Sequence, residues 1–496
     1  MKIKLKDFTG GLLMLSGVFF STGANCQEDI NRLSLEKVIE IARSQSPDAL
    51  DAKHSFKGSY WEYKSYKAGL LPSLSLDATL PNFNSGFIAV TQNDGTVVFV
   101  RQNNMNSSAG LSLTQNIGLT GGTIFVSSGL QRIDQLSGDK STSYMSTPFR
   151  IGFDQPLFGY NENKWQRKTA PLKYKAALRQ YVMDLENISY TATRYYFNLL
   201  LAQMNIEINT INYRNNDTLY KISQGRYNLG RIAESELLQM ELNVLNSDAK
   251  LEQSKIDFES AMFRFRSYLG LDAGQRIELI PPMQAHKLKI DVQKALEQAK
   301  QNRPELLDYE RQLIEAASNV AKVKSDNRFN AKLYGVYGLT QSADYFDDVY
   351  KDPINDQQVM VGVSVPILDW GVGRGKVKMA ESSKELVEND ITQRRIDFEQ
   401  QIYMKVMAFN MLESQLNIAM KADEIAQKRY EVSRQRYLIG RIDILELNVA
   451  LQEKDQAKQS YLSALRLYWE SYYEMRQLTL YDFLNDLPLE AIVEDI

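Results

Sequence analysis

RYNLGRIAESEL, from Arg226 to Leu237, and RYLIGRIDILEL, from Arg436 to Leu447, are two versions of one phrase: Arg, Tyr, Gly, Arg, Ile, Glu and Leu recur at a shift of 210 residues. The same shift lays Gly152 on Gly362, Pro156 on Pro366, Lys168 on Lys378, Ala170 on Ala380 and Arg266 on Arg476. A single register held over more than a hundred residues means that one structural unit is written twice, and such a repeat governs every later reading. Upstream, Ser46-Pro47-Asp48 matches Arg303-Pro304-Glu305 at a shift of 257, so the first copy carries about 47 extra residues between this point and Gly152.

Both copies follow one order of elements. A helical stretch restarts at Pro47 or Pro304, where proline suits a first helical turn. A strand follows in copy one: Leu74, Leu76, Ala78 and Leu80 alternate with Ser73, Ser75, Asp77 and Thr79, a period of two with one apolar and one polar face. Its expected partner carries Phe149, Ile151 and Phe153, and the counterpart in copy two carries Val361, Val363 and Val365. The extra residues supply a further hairpin, Leu111 to Ile117 and Thr123 to Arg132 around Gly121-Gly122, whose place among the other strands stays open.

After Pro156 or Pro366 the chain runs to Leu229 or Ile439 with Pro171 as its one proline, a pattern that predicts a helix of about 70 residues and roughly 100 Å. Phe398, Ile402, Val406, Phe409, Leu412 and Leu416 form an apolar stripe along it. A helix this long overruns a single-domain core, so it must lie lengthwise against other long helices. Gly230 and Gly440 supply the left-handed caps that end the two helices, and returning helices follow from about Ile232 to Tyr268 and Ile442 to Leu480. The layout is a first repeat at 27–270, a linker at 271–290, a second repeat at 291–480 and a tail at 481–496.

Residues 1–26 read as a secretory signal: Lys2, Lys4 and Lys6, an apolar run from Leu12 to Phe20, then Ala24-Asn25-Cys26. Cleavage before Gln27 is the expected processing. In the other reading Cys26 is lipidated, but Asn25 and Gly23 stand where a lipobox has a small and an aliphatic residue. Beyond residue 26 no stretch reaches the ~18 apolar residues of a spanning helix, so insertion into a membrane requires strands.

Composition removes several classes of function. With 58 Lys and Arg against 61 Asp and Glu the formal charge is -3, and no cationic excess is present to release counterions from nucleic acid. His54, His286 and Cys26 are the only histidines and cysteine, too few for the usual zinc, iron–sulfur or haem sets or for a disulfide. His54 is expected on a helix surface and His286 in the linker. No Ser/His/Asp set or phosphate-cradling glycine loop is present, so neither catalysis nor a cofactor is expected. The 16 methionines, Met404, Met407, Met411 and Met420 among them, are expected to fill helix packing. Trp165 and Trp370, just past the strand ends, suit either an interfacial belt or core packing.

Four amphipathic strands per chain cannot close a barrel, which needs about eight, and an open edge in a bilayer leaves backbone groups unsatisfied. Several copies of the chain must therefore close it. LSLEKVIEIARSQSPDAL at 33–50, the strand ends GFDQPLF and GVSVPIL, the two long helical hairpins and the Tyr-x-x-Gly tips resemble the TolC family of outer-membrane efflux and secretion ducts over essentially the whole mature chain. The resemblance implies an α+β membrane protein: a homotrimer with a twelve-stranded barrel, four strands per chain, in outer-membrane lipid above a periplasmic helical barrel. It implies docking to a periplasmic adaptor protein under an inner-membrane pump. Small-molecule efflux is the leading reading, a type I protein-secretion duct the second, and a periplasmic coiled-coil scaffold without a pore the third, which the alternating strands disfavour.

The resemblance also points to the tips. In the family a tyrosine before the turn glycine and two aspartates beyond it close the resting duct. Tyr437 takes the tyrosine position and Glu446 the first aspartate, while Val449 occupies the second. Asp443, one turn before Glu446, is the alternative source of a second acidic ring, although acids in a first helical turn are also favoured by the helix dipole. The latch arginine of the family aligns with Ile442, beside Arg441. Glu234 and Glu236 in the first tip suit capping or an adaptor-facing role. Gly230, Arg231, Gly440 and Arg441 are the candidates for adaptor contact.

Overall fold

The computed structural model describes residues 31–138, 140–272, 274–275, 277–282 and 288–490; the leader expected at 1–26 with Cys26, and His286, lie outside them. In chain order the elements are β1 (Asn31–Leu33), α1 (Leu35–Gln45), α2 (Pro47–Ala68), β2 (Ser73–Thr91), β3 (Val97–Ile117), β4 (Gly122–Gln135), β5 (Ser141–Pro156), α3 (Glu162–Asn228) and α4 (Glu234–Leu269). The second half contains β6 (Ile277–Leu279), α5 (Val292–Asn302), α6 (Pro304–Asp326), β7 (Asn330–Ala343), β8 (Ile354–Ser364), α7 (Val372–Leu438), α8 (Ile444–Thr479), β9 (Tyr481–Asp482) and β10 (Leu487–Pro488).

Local chemistry starts and stops these elements. Ser46 accepts the Ala49 N–H at 3.2 Å and Pro47 takes the first turn of α2. The long helices α3 and α7 are each 67 residues, about 100 Å, and the returning α4 and α8 are each 36. No helix among the described residues is long and apolar enough to cross a membrane. His54 is exposed on α2.

The apolar stripe of α7 is buried at Phe398, Ile402, Val406, Phe409 and Leu416, against Ile188, Tyr196 and Leu199 of α3 and Leu465 and Tyr468 of α8. This core forms a belt that gathers α1, α3, the end of α4, α5, α7 and α8. The start of the described chain is tied into it, because β1 pairs in parallel with β6, Leu33 opposite Leu279, within the linker between the repeats.

A buried ion network locks the belt. Glu186, fully buried on α3, accepts from Arg43 at 2.6 Å and from Arg476 at 2.9 and 3.1 Å, and Arg476 also holds Asp482 at 2.7 Å. Burial works against the Arg476 charge, but the Glu186 carboxylate outweighs it and raises that guanidinium well above its ordinary value. Burial likewise pushes Asp482 upward, and Arg476 overrides it, so the carboxyl ends below the usual range. Burial drives the neighbouring Tyr473 phenol to about 12.

One sheet runs β2-β3-β4-β5-β7-β8, every neighbour antiparallel. This corrects the strand pairing and the count of four. The hairpin of the insertion is β3–β4, with Leu113 opposite Val126, and it stands between β2 and β5, which were expected to pair. The reason is steric and local: β2 turns straight back at Gly95, with a φ of 83°, so its hydrogen-bonding edge is filled by its own continuation.

Candidate pore constriction

At the two hairpin tips the backbone is built twice to one pattern. The Gly230 N–H donates to Tyr227 at 2.8 Å and the Arg231 N–H to Arg226 at 2.9 Å; Gly440 and Arg441 donate to Tyr437 and Arg436, each at 2.9 Å. Gly230 and Gly440 have φ of 70° and 74°, the left-handed cap that satisfies the last helical carbonyls. A Cβ at either glycine meets nothing within 4 Å, so backbone conformation alone demands glycine there. Gly230, Arg231, Gly440 and Arg441 are all exposed.

The side chains break this symmetry. Tyr437 is 4% exposed and its counterpart Tyr227 39%. Tyr437 sits in a small second core with Leu219, Met240, Tyr430, Ile444 and Leu447, and its hydroxyl lies 3.0 Å from Ser223 Oγ on α3. Arg226 covers the Tyr437 ring, 5.4 Å from its centroid, and donates to the Leu438 carbonyl at 2.7 Å. The first hairpin thus grips the last turn of α7 through charge, ring and hydroxyl together. Tyr437 is a peg between the hairpins, not an exposed lining residue of a single chain.

The acidic candidates take different places. The Asp443 side chain is the N-cap of α8 and accepts the Glu446 N–H at 2.9 Å. The first tip has no such cap, since Ala233 stands at the equivalent position of α4. Glu446 is exposed, 3.8 Å from Arg436. Glu234 is exposed, and the Glu236 N–H completes the first turn of α4 on Ala233 O at 3.1 Å. Arg226 and Ser223 had not been singled out from sequence; the signal was present, because Arg226-Tyr227 and Arg436-Tyr437 repeat at the same shift, as do Ser223 and Ser433. Among the described residues no group of three His, Cys, Asp or Glu is placed to hold a metal ion.

Above the tips, α3 packs on α4, α8 on α7, and α3 on α8, giving the lateral order α4-α3-α8-α7 with α4 and α7 at its two ends. The outer face of α7 carries Met404, Met411, Ile418, Ile425 and Val432 at every seventh residue, and the cap residue Ile439 continues the spacing, all exposed. Leu238, Leu242, Leu245, Ile256 and Phe263 are exposed on α4. The four methionines expected to fill the packing therefore do not do so inside the chain: Met404, Met407, Met411 and Met420 are exposed. Trp370 is 88% exposed just past β8, which removes core packing within the chain for that residue.

Duplicated helical hairpins, a strand-bearing end and a sequence profile that matches at residues 38–271 and 295–479 decide the family. The chain belongs to the outer membrane efflux protein family. Members of this family are outer-membrane channels, not enzymes. Solved members have its fold. The CmeC outer membrane channel of Campylobacter jejuni superposes with a TM-score of 0.66 at 17% identity, over 93% of this chain and 88% of that one. The outer-membrane channel OprN gives 0.64 at 16%, over 90% and 89%, and VceC of Vibrio cholerae 0.64 at 14%, over 92% and 97%. No curated protein sequence matches this efflux protein significantly.

Proposed function

We propose that three copies of this efflux protein form an outer-membrane channel with a long periplasmic helical barrel, serving as the exit duct of a tripartite system that exports small molecules. One observation carries the reading. Inside the chain the second long hairpin packs its α8 on α3 of the first; the duplicated register demands the equivalent contact between α7 and α4, and in one chain these two helices lie at opposite ends with exposed apolar stripes. A second copy supplies each with its partner, and a closed ring follows from repetition. The clamp of Arg226 on Leu438 is the closed arrangement of the entrance in this reading. Glu446 supplies the charge ring at the constriction and Asp443 holds the helix that carries it. The exposed tip residues Gly230, Arg231, Gly440 and Arg441 are the surface offered to a periplasmic adaptor, which couples the duct to an inner-membrane pump.

Residues 1–26 act in this proposal as a cleaved signal, with no lipid on Cys26. The position of β1 supports it. Asn31 lies in the belt, below the 22-residue helix α2, about 33 Å long, that leads up to the strands. The five residues back to Cys26 reach at most about 18 Å.

The test is the outer-membrane fraction of cells that make the protein. Heat-sensitive trimers are expected there, together with cross-linking between a cysteine placed on α7 at Ile418 and one on α4 at Leu245 or Ile256. A monomer confined to the soluble periplasm overturns the proposal. Loss of export on deleting the gene for a small-molecule pump, with protein secretion unchanged, separates efflux from type I secretion.

A further inference from the structure

We propose that the barrel of this protein has eighteen strands, closed by β2 of each copy pairing antiparallel with β8 of the next. The inference rests on the trimeric reading above and concerns what each copy contributes. The six strands of the main sheet form one continuous ladder, and among the described residues β2 and β8 are its two end strands, each with a free edge.

The faces decide that the hairpin of the insertion belongs to the wall. A row of direct partners, Leu74, Leu113, Val126, Ile151 and Tyr337, crosses β2, β3, β4, β5 and β7 on one face. On β8 the direct partner of Tyr337 is Gln357, and Val359, Val361 and Val363, exposed, follow at every second residue on the same face. The next row, on the opposite face, is Ser75, Ser112, Ser127, Arg150, Gly338 and Asp356. Arg150 pairs there with Asp356 across β7. Gly338 leaves the way clear, since a Cβ on it would come within 2.8 Å of Phe149 O and 3.1 Å of Arg150. An apolar face and a polar face, the pattern of a membrane barrel, thus run through β2, β3, β4, β5 and β7 and on to the valines of β8, with Gln357 as a polar residue in the row and register shifts at Thr79/Asn82, Ser127/Gly129 and Ser146/Phe149. A hairpin folded over the pore as a cap would have no reason to keep an apolar face in register with the wall.

Closure follows from backbone chemistry. In a bilayer, the N–H and C=O groups along β2 and β8 have no water to bond, so both edges must be paired. β2 runs away from the helices and β8 toward them, which makes the joint between copies antiparallel like every other in the sheet. The 11 residues of β8 can cover at most that many of the 19 in β2. What remains is the upper part of the β2–β3 hairpin, where Val97 to Asn103 have partners on β2 and none on β4. Closing on β4 instead would require stripping β3 from it along the whole run from Asn104 to Ile117. Six strands from each of three copies give eighteen, a count at which porin-type barrels enclose an aqueous channel, and a diameter about 1.5 times that of a twelve-stranded barrel, since diameter grows roughly linearly with strand number.

The experiment pairs Val361→Cys on β8 with Leu74→Cys, Leu76→Cys or Ala78→Cys on β2, in a Cys26→Ser background, and oxidises outer-membrane preparations. Covalent dimers and trimers are expected from at least one β2 position and from no single variant. A second panel pairs Val361→Cys with Ile124→Cys or Val126→Cys on β4; a ladder there overturns the eighteen-stranded barrel and leaves the trimer standing. A chain that stays monomeric under a lysine cross-linker overturns both. The unmodified protein gives an independent reading, the diameter of the barrel end in electron-microscopy averages: about 1.5-fold that of the twelve-stranded ducts supports the proposal, and an equal diameter overturns it.

Discussion

Arg226, near the end of α3, donates its guanidinium to the main-chain carbonyl of Leu438 at 2.7 Å, so a side chain of the first repeat caps the helix that ends in the second. The carbonyls of a last helical turn have no partner within their own helix, and a cation there is favoured by the helix dipole as well. The same guanidinium covers the Tyr437 ring, so removing it loosens two attachments at once.

Arg226→Gln keeps the length of the side chain and some hydrogen bonding but loses the charge. The expected outcome in planar bilayers is a several-fold higher single-channel conductance, with the thermal stability of the belt unchanged. Conductance equal to that of the wild type would remove the clamp from the closing mechanism.

Tyr437→Phe deletes the hydroxyl that meets Ser223 at 3.0 Å and leaves the ring beneath Arg226. A loss of about 1 kcal/mol in the tip is expected, the typical net worth of one hydrogen bond. Tyr437→Ala also opens a cavity in a cluster of six buried residues and is expected to cost about 3–5 kcal/mol, as large aromatic truncations do. Hydrogen exchange of the tip amides, compared with those of the belt, measures both.

Asp443 and Glu446 are separated by three substitutions. Asp443→Ala loses an N-cap worth about 0.5–2 kcal/mol, and Asp443→Asn restores the cap without the charge. If capping is the whole role of Asp443, the Asn variant conducts with wild-type cation preference, whereas Glu446→Gln shifts that preference. A shift in the Asn variant equal to that of Glu446→Gln would make Asp443 a second charge ring. The double alanine variant is expected to raise conductance further.

Acid should weaken the belt through Asp482. Its carboxyl is held below the usual carboxylate range, so its contribution to stability is fully present above its unfolded value of about 3.9 and fades as pH falls through the lower folded value. Asp482→Asn is expected to lower Tm at pH 7 and to flatten the fall in Tm between pH 5 and 3, followed by circular dichroism. Glu186→Gln removes the anion shared by Arg43 and Arg476 and is expected to cost about 3–5 kcal/mol, the range for breaking a buried pair on one side.

The duplication, the long helices and the glycine caps were legible because each is a one-dimensional signal: a shift of 210, a period near 3.6, a glycine where φ turns positive. The pairing of β2 was not. Alternation identifies a strand and its faces, but the choice between β3 and β5 as neighbour depends on turn geometry and on which edge is filled first. At the tip, Glu446 and Asp443 were chosen by type and position. Arg226 was passed over because its partner is a carbonyl, and carbonyls carry no sequence signature. The exposure of Met404 and Met411 escaped for a related reason: an apolar residue at helical spacing looks the same whether its neighbour belongs to its own chain or to the next.

The two cores are unequal, and within one chain none of the buried residues of α7 falls between Leu416 and Tyr430, the stretch whose Ile418 and Ile425 meet α4 of the next copy in the proposed trimer. Once the small core around Tyr437 lets go, the second hairpin below the belt is a rod held at its upper end, about 36 Å from Leu416 to Gly440 at 1.5 Å per residue. A rod of that length swings its free end by about 6 Å for about 10° of tilt at the clamp, enough to widen an aperture while the helices stay intact. In the proposed duct, leverage with the belt as fulcrum would let a partner that grips only the tip open the entrance by undoing a handful of contacts around Tyr437.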